Sequence, residues 1–211
     1  MVNKGFSFLS ELLPSKIKID SKELEIDTRT ITALAVIFYL QEEHTDIEKA
    51  NYTTLKLFQK SYNSVLQYFN CTSERLDNVI VKYLNGYPKA STDAKKRATS
   101  NFLNKDYKKP DFDLIQDSGA ILSSFRQSYN ICLADLQQLH WWEFLALFYN
   151  LSGENAFNNI RHIRTMEIDT KHDSPKRQEQ IKKAKKAVAL IDTRSEKQKQ
   201  ADLQAQFNAL A

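Results

Sequence analysis

Glycine and proline each occur only four times in 211 residues. That scarcity excludes a β-sandwich or barrel, whose turns call for such residues roughly every eight to twelve positions. So few glycines also leave no phosphate-cradling loop or nucleophile elbow: GxGxxG, GxxxxGK[ST] and GxSxG are all absent. The two cysteines, Cys71 and Cys132, lack CxxC spacing. They exclude a disulfide framework and read as small buried thiols in a reducing cytoplasm. His44, His140, His162 and His172 are scattered, with no HExxH and no cysteine partner. The expectation is no metal and no cofactor. Long apolar runs are missing too. The most apolar stretch, Ile31 to Leu40, has ten residues, about half of what a membrane-spanning helix needs. The opening "MVNKGFSFLSELLPSK" is broken by Ser10, Glu11 and Pro14, so it lacks the continuous core of a signal peptide. These readings predict a soluble intracellular protein that does not enter a membrane.

What is present is helical periodicity, in a chain 42% hydrophobic and 27% charged. Before it, "SKIKIDSKELEIDT" alternates strictly, with Ile17, Ile19, Leu24 and Ile26 on one face and turn chemistry at Asp20 and Ser21. A hairpin over 16–27 is predicted. Ile31, Leu34, Ala35 and Phe38 then mark the inner face of a first helix, capped by Thr28 or Thr30. A second segment runs from Ile47 to Phe69 along Leu55, Phe58, Tyr62, Val65, Leu66 and Phe69, with a break near Asn63. A third runs from Ser73 to Leu84 and stops at Gly86. Residues 87–110 are polar and lysine-rich, and read as an exposed connection. Helical signal resumes at Asp113 through Leu114, Ile121, Leu122, Phe125 and Tyr129, followed by the aromatic segment and a short helix from Glu154 to Met166. In the tail, Ser174 as N-cap and Pro175 as first helical residue announce another helix, interrupted near Asp192. Residues 169–211 hold ten basic and six acidic residues, which accounts for the whole net charge of +4. The predicted architecture is mainly α: a helical bundle with a small N-terminal hairpin over 1–168, then a basic helical extension over 169–211.

The segment "LHWWEFLALFYNL", 139–151, holds both tryptophans of the chain. At 100° per residue Trp141, Phe144, Leu145, Phe148 and Leu151 share one face and Trp142 and Tyr149 an adjoining one. An apolar arc this wide predicts a central helix wrapped on several sides, in a bundle centred on residues 135–151, with Trp141, Phe144, Leu145 and Phe148 joined in the core by Phe125 and Tyr129. His140 and Glu143, one turn apart, could form an acid-base pair. A histidine beside a tryptophan more commonly serves structure, so no catalytic residue is assigned. The rival from the nucleic-acid class rests on "KKAKK" at 182–186 and "KKR" at 95–97. Acidic residues are interspersed and no stacking aromatics accompany the lysines, so a solvated, partner-seeking helix is preferred.

Several motifs in 111–166 are similar to the bacteriophage gene-product-fifteen family of tailed phages and prophages of Gram-positive bacteria. They are the acidic-aromatic opening Asp111, Phe112, Asp113; Phe125 and Tyr129 in "SFRQSY"; Leu139 to Leu147 in "LHWWEFLAL"; the "LS" that follows; and the ending at Ile163 and Arg164. The early "LLPSKIKIDSKELEIDT" also fits, while "YNICL" departs from a family pattern that carries a glycine and an acidic residue there. The resemblance implies a tail assembly chaperone in the cytoplasm of the bacterial host, binding the phage tape measure protein and other copies of itself, with the tail tube protein as a further candidate partner. The alternative within the same resemblance is a minor structural component of the virion. For partner contacts the exposed apolar candidates are Trp142, Tyr149, Val188, Ile191, Leu203, Phe207 and Leu210.

Overall fold

Strand alternation and helical capping account for most of the observed elements. The computed structural model describes residues 12–19, 21–68, 74–86, 111–151 and 153–191. Among them the chain is mainly helical, with nine α-helices and one two-stranded antiparallel hairpin. β1 (Lys16–Ile19) pairs with β2 (Lys22–Glu25), Ile17 facing Leu24 and Ile19 facing Lys22. Alternation buries Ile19, Leu24 and Ile26 and leaves Lys16, Lys18, Glu23 and Glu25 in solvent. An isolated hairpin is marginal in water; this one is tied to its surroundings by Asp27 N–H donating to the Leu57 carbonyl at 2.7 Å and Glu25 N–H to Ser61 Oγ at 3.0 Å.

The helices are α1 (Thr30–Gln41), α2 (Asp46–Leu57), α3 (Tyr62–Tyr68), α4 (Glu74–Leu84), α5 (Ser118–Tyr129), α6 (Leu133–Gln138), α7 (Trp141–Tyr149), α8 (Ala156–Thr165) and α9 (Pro175–Ala187). α1 buries Ala33, Val36 and Ile37, while Ile31 is exposed and Leu34, Ala35 and Phe38 are half-buried. The expected face is therefore turned. The helix is apolar on several sides, and 33, 36, 37, 40 satisfy the same spacing as 31, 34, 35, 38. Its start is not capped by Thr28 or Thr30 either. Arg29 is the N-cap without a side-chain bond, and the Thr30 hydroxyl donates to the Leu139 carbonyl instead. A full capping box closes α2: Thr45 Oγ1 accepts from Glu48 N–H while the Glu48 carboxylate accepts from Thr45 N–H. α2 ends at Leu57 and a 3-10 turn at 59–61 leads into α3, so the break lies at Phe58 rather than Asn63. Phe58 and Leu57 are buried and Leu55 is exposed.

Within the aromatic segment the helix is α7, and the chain is extended at Leu139 and His140, between α6 and α7. Cys132 corrects its expected burial. It is half-exposed, stands as the N-cap of α6 and its thiol lies 2.9 Å from Asp135 Oδ2. The Ser174–Pro175 start holds, with Ser174 Oγ accepting from Arg177 N–H at 3.3 Å. Cys71, the expected helix start at Ser73, the connection over 87–110 and the interruption near Asp192 lie outside the described residues.

Contacts divide the chain into two units, Met1–Lys108 with Phe125–Ser152, and Lys109–Ser124 with Gly153–Ala211. The division falls elsewhere than the change of composition at 168, because α9 buries Ile181 and packs on α8. Among the described residues no helix is long and apolar enough to cross a membrane.

Candidate functional site

Two constellations stand out, one in each unit. The first is built at the bend between α6 and α7. The Leu139 carbonyl accepts from both the N–H (2.8 Å) and the hydroxyl (3.0 Å) of Thr30, and Trp141 N–H donates to the Thr28 carbonyl at 2.6 Å. Asp27 organises the adjoining backbone by accepting from Arg29 N–H, the Arg29 guanidinium and the Thr32 hydroxyl. Burial would raise its carboxyl, yet these hydrogen bonds outweigh it and hold it below its ordinary value.

Both indoles are then spent on one helix end. Trp141 Nε1 donates to the Leu84 carbonyl at 2.9 Å and Trp142 Nε1 to the Tyr83 carbonyl at 3.1 Å. These are carbonyls of the last turn of α4, among those that a helix leaves without intrahelical partners. The tandem tryptophans thus form a two-pronged cap. Directly beyond, Gly86 adopts φ +104°, and a Cβ there would stand 2.9 Å from Leu145 Cδ1, so glycine is needed twice over at this crossing. Trp141 is fully buried and stacks on Phe144 at 5.3 Å, and Phe144 stacks on Phe125 at 5.4 Å. Leu145, Phe148 and Phe125 are buried as well, while Tyr129 is half-buried and donates its hydroxyl to the Leu147 carbonyl at 3.0 Å. Trp142 and Tyr149 are half-buried rather than exposed: the indole of Trp142 is tilted against Tyr83 at 5.9 Å, and the Tyr149 ring meets Phe148 edge-on.

His140 is occupied on both ring nitrogens. Nδ1 accepts from Trp142 N–H at 3.1 Å, capping α7, and Nε2 lies 3.0 Å from the Pro14 carbonyl, to which it donates. This fixes a neutral tautomer and leaves no nitrogen to pair with Glu143 as acid or base. Burial lowers the His140 pKa from its ordinary 6.5, against the opposing influence of the Pro14 carbonyl and the Glu143 carboxylate. A histidine whose folded value is depressed takes up its proton in the unfolded chain first. Its contribution is complete above about pH 6.5 and is lost as pH falls through the folded value. Thermal unfolding between pH 7 and 5 should therefore show the wild type losing stability relative to His140→Asn, which keeps an acceptor for the cap and does not titrate. Parallel pH profiles would contradict the assignment. Burial pushes the phenol of nearby Tyr83 far above its ordinary range, so it stays protonated at neutral pH.

The second constellation was not anticipated from spacing. Arg164 on α8 makes a two-pronged pair with Asp117, Nη1 to Oδ2 at 2.6 Å and Nη2 to Oδ1 at 2.8 Å. Both side chains are buried. The same guanidinium donates from Nη1 to the Asp111 carbonyl at 3.1 Å and from Nε to the Val188 carbonyl at 2.6 Å, holding the end of α9. One turn earlier Arg161 pairs with Asp111 at 2.6 Å and lies 5.5 Å from the ring centres of Phe112 and Phe157. The "DFD" opening and the isoleucine-arginine ending are thus halves of one clamp. Gln116 completes it by donating to the Ala189 carbonyl and accepting from Ile191 N–H, each at 2.9 Å. Val188 is half-buried there and Ile191 is 73% exposed. Leu203, Phe207 and Leu210 lie outside the described residues. No group of three or more metal-ligating side chains is gathered among the described residues.

A family model described as Bacteriophage Gp15 protein matches residues 9–190, most of the chain. No curated protein and no solved structure matches.

Proposed function

The chain belongs to the bacteriophage Gp15 family, and on that footing we propose that it is a non-enzymatic tail assembly chaperone. It binds the phage tape measure protein in the host cytoplasm, associates with further copies of itself along that client, and meets the tail tube protein as the tube polymerises. The observation that carries this reading is the family match over 9–190, which spans both constellations.

Physical chemistry supports it from two sides. Two side chains well placed for chemistry are engaged in structural bonds: His140 caps a helix, and Arg164 makes four bonds to two carbonyls and a carboxylate. The apolar groups that do reach solvent, such as Ile47, Leu55, Ile115, Leu133 and Ile191, are dispersed over several elements. Single exposed apolar residues are ordinary on a monomer. Repeated along an elongated helical client by many copies, such weak contacts add through effective concentration. Trp142, Tyr149, Val188 and Ile191, with Leu203, Phe207 and Leu210 of the tail, are the proposed contact residues. The test is co-expression with the tape measure protein of the same phage, scored by that client's solubility and by co-purification.

A further inference from the structure

Register decides which backbone groups of β1 face outward. Ile26 N–H donates to the Ser15 carbonyl at 3.0 Å, so Ser15/Ile26, Ile17/Leu24 and Ile19/Lys22 are the hydrogen-bonded pairs. Lys16/Glu25 and Lys18/Glu23 are the non-hydrogen-bonded ones. The N–H and carbonyl groups of Lys16 and Lys18 therefore point away from β2. On the opposite edge the equivalent Glu25 N–H is taken by Ser61 Oγ. On β1 none of the four groups has a hydrogen-bond partner among the described residues.

Both lysine side chains are exposed. Lys16 reaches Glu23 only at 3.8 Å, and Lys18 has no carboxylate within ion-pair distance among the described residues. Beside them Leu12, 95% exposed, begins the run Leu12 to Ser15 that walls an open depression together with Lys16, Lys18 and Glu23.

We propose that β1 receives an extended segment of another polypeptide as a third strand, and that this segment carries acidic residues at alternate positions. A free strand edge is a template for main-chain pairing, and the side chains beside it select the partner. A second copy presenting its own β1 would bring lysine against lysine, and like charges directly opposite are destabilising. Alternating carboxylates would instead meet Lys16 and Lys18 across the ladder, while the residues between them lie beside half-buried Ile17. The site requires neither the client nor the self-association proposed above, so its failure and theirs are separable.

The test uses the full chain, isotopically labelled, titrated with a short capped peptide alternating glutamate with valine and threonine. A peptide with lysine in place of glutamate and a scrambled acidic peptide serve as controls. The expected result is saturable shifts at the Lys16 and Lys18 amides, with solvent exchange there slowed about tenfold or more, and weaker binding of both controls by a similar factor. Lys16→Gln with Lys18→Gln should abolish the preference for the acidic peptide. Lys18→Pro, which removes an outward N–H and spares the inward ones, should abolish binding by every peptide. Shifts located elsewhere, none at millimolar peptide, or an acidic preference that survives the double glutamine variant would overturn the proposal. So would concentration-dependent shifts at these amides in the free protein, which would assign the edge to a second copy.

Discussion

Trp141→Ala is expected to destabilise the protein by about 3 to 5 kcal/mol, the range for emptying a buried aromatic site. The ring is fully buried, stacked on Phe144 and bonded through Nε1 to the Leu84 carbonyl. Its removal therefore opens a cavity and strips a cap from α4 at once. Trp141→Phe separates the two effects. It keeps most of the ring volume and should cost about 1 to 3 kcal/mol, chiefly for the carbonyl left unsatisfied. Urea unfolding followed by circular dichroism reads both without relying on tryptophan emission. A cost for the alanine variant below about 0.5 kcal/mol, the usual range at surface positions, would mean that the ring is not core.

Arg164→Ala should be comparably severe, about 3 to 5 kcal/mol, because it leaves the Asp117 carboxylate buried without its counter-charge. Asp117 would keep the Asp113 N–H at 2.9 Å, which cannot replace a two-pronged guanidinium. The Asp111 and Val188 carbonyls also lose their donor. Removing both charges by Arg164→Met with Asp117→Leu should recover much of the loss, since a well-packed apolar pair can substitute for a buried ion pair. Equal losses in the single and double variants would indicate that the carbonyl bonds, and not the ion pair, carry the clamp.

Legibility in the sequence tracked how local each cause is. The hairpin could be read because alternation at Ile17, Ile19, Leu24 and Ile26 has one structural meaning, and α9 because Ser174 and Pro175 are adjacent signals. The face of α1 could not, since two stripes satisfied the same spacing and the choice was made by Thr30 bonding Leu139, 109 residues away. The α2 capping box, Thr45 with Glu48, straddles the start of the predicted segment at Ile47, ahead of its first apolar stripe residue, Leu55. For the candidate site, burial of Trp141, Phe144, Leu145 and Phe148 followed from the width of the apolar arc. The α4 carbonyls that Trp141 and Trp142 cap left no trace in the sequence, because a backbone carbonyl has no residue type. Arg164 was visible as a motif residue, yet its partner Asp117 lies 47 positions earlier with no spacing rule to connect them. The glycine stop at Gly86 was read as a helix end, while the nearness of Leu145 that also requires glycine there emerges only in three dimensions.

Co-expression of this chain with the tape measure protein of the same phage tests the proposed handling of that client without catalysis. The prediction is that the tape measure protein moves from the insoluble to the soluble fraction and co-purifies at moderate salt with several copies of this chain. If it stays insoluble and no complex forms while this chain is folded, the chaperone reading is contradicted. Finding the chain in purified particles by mass spectrometry would then assign it to the virion.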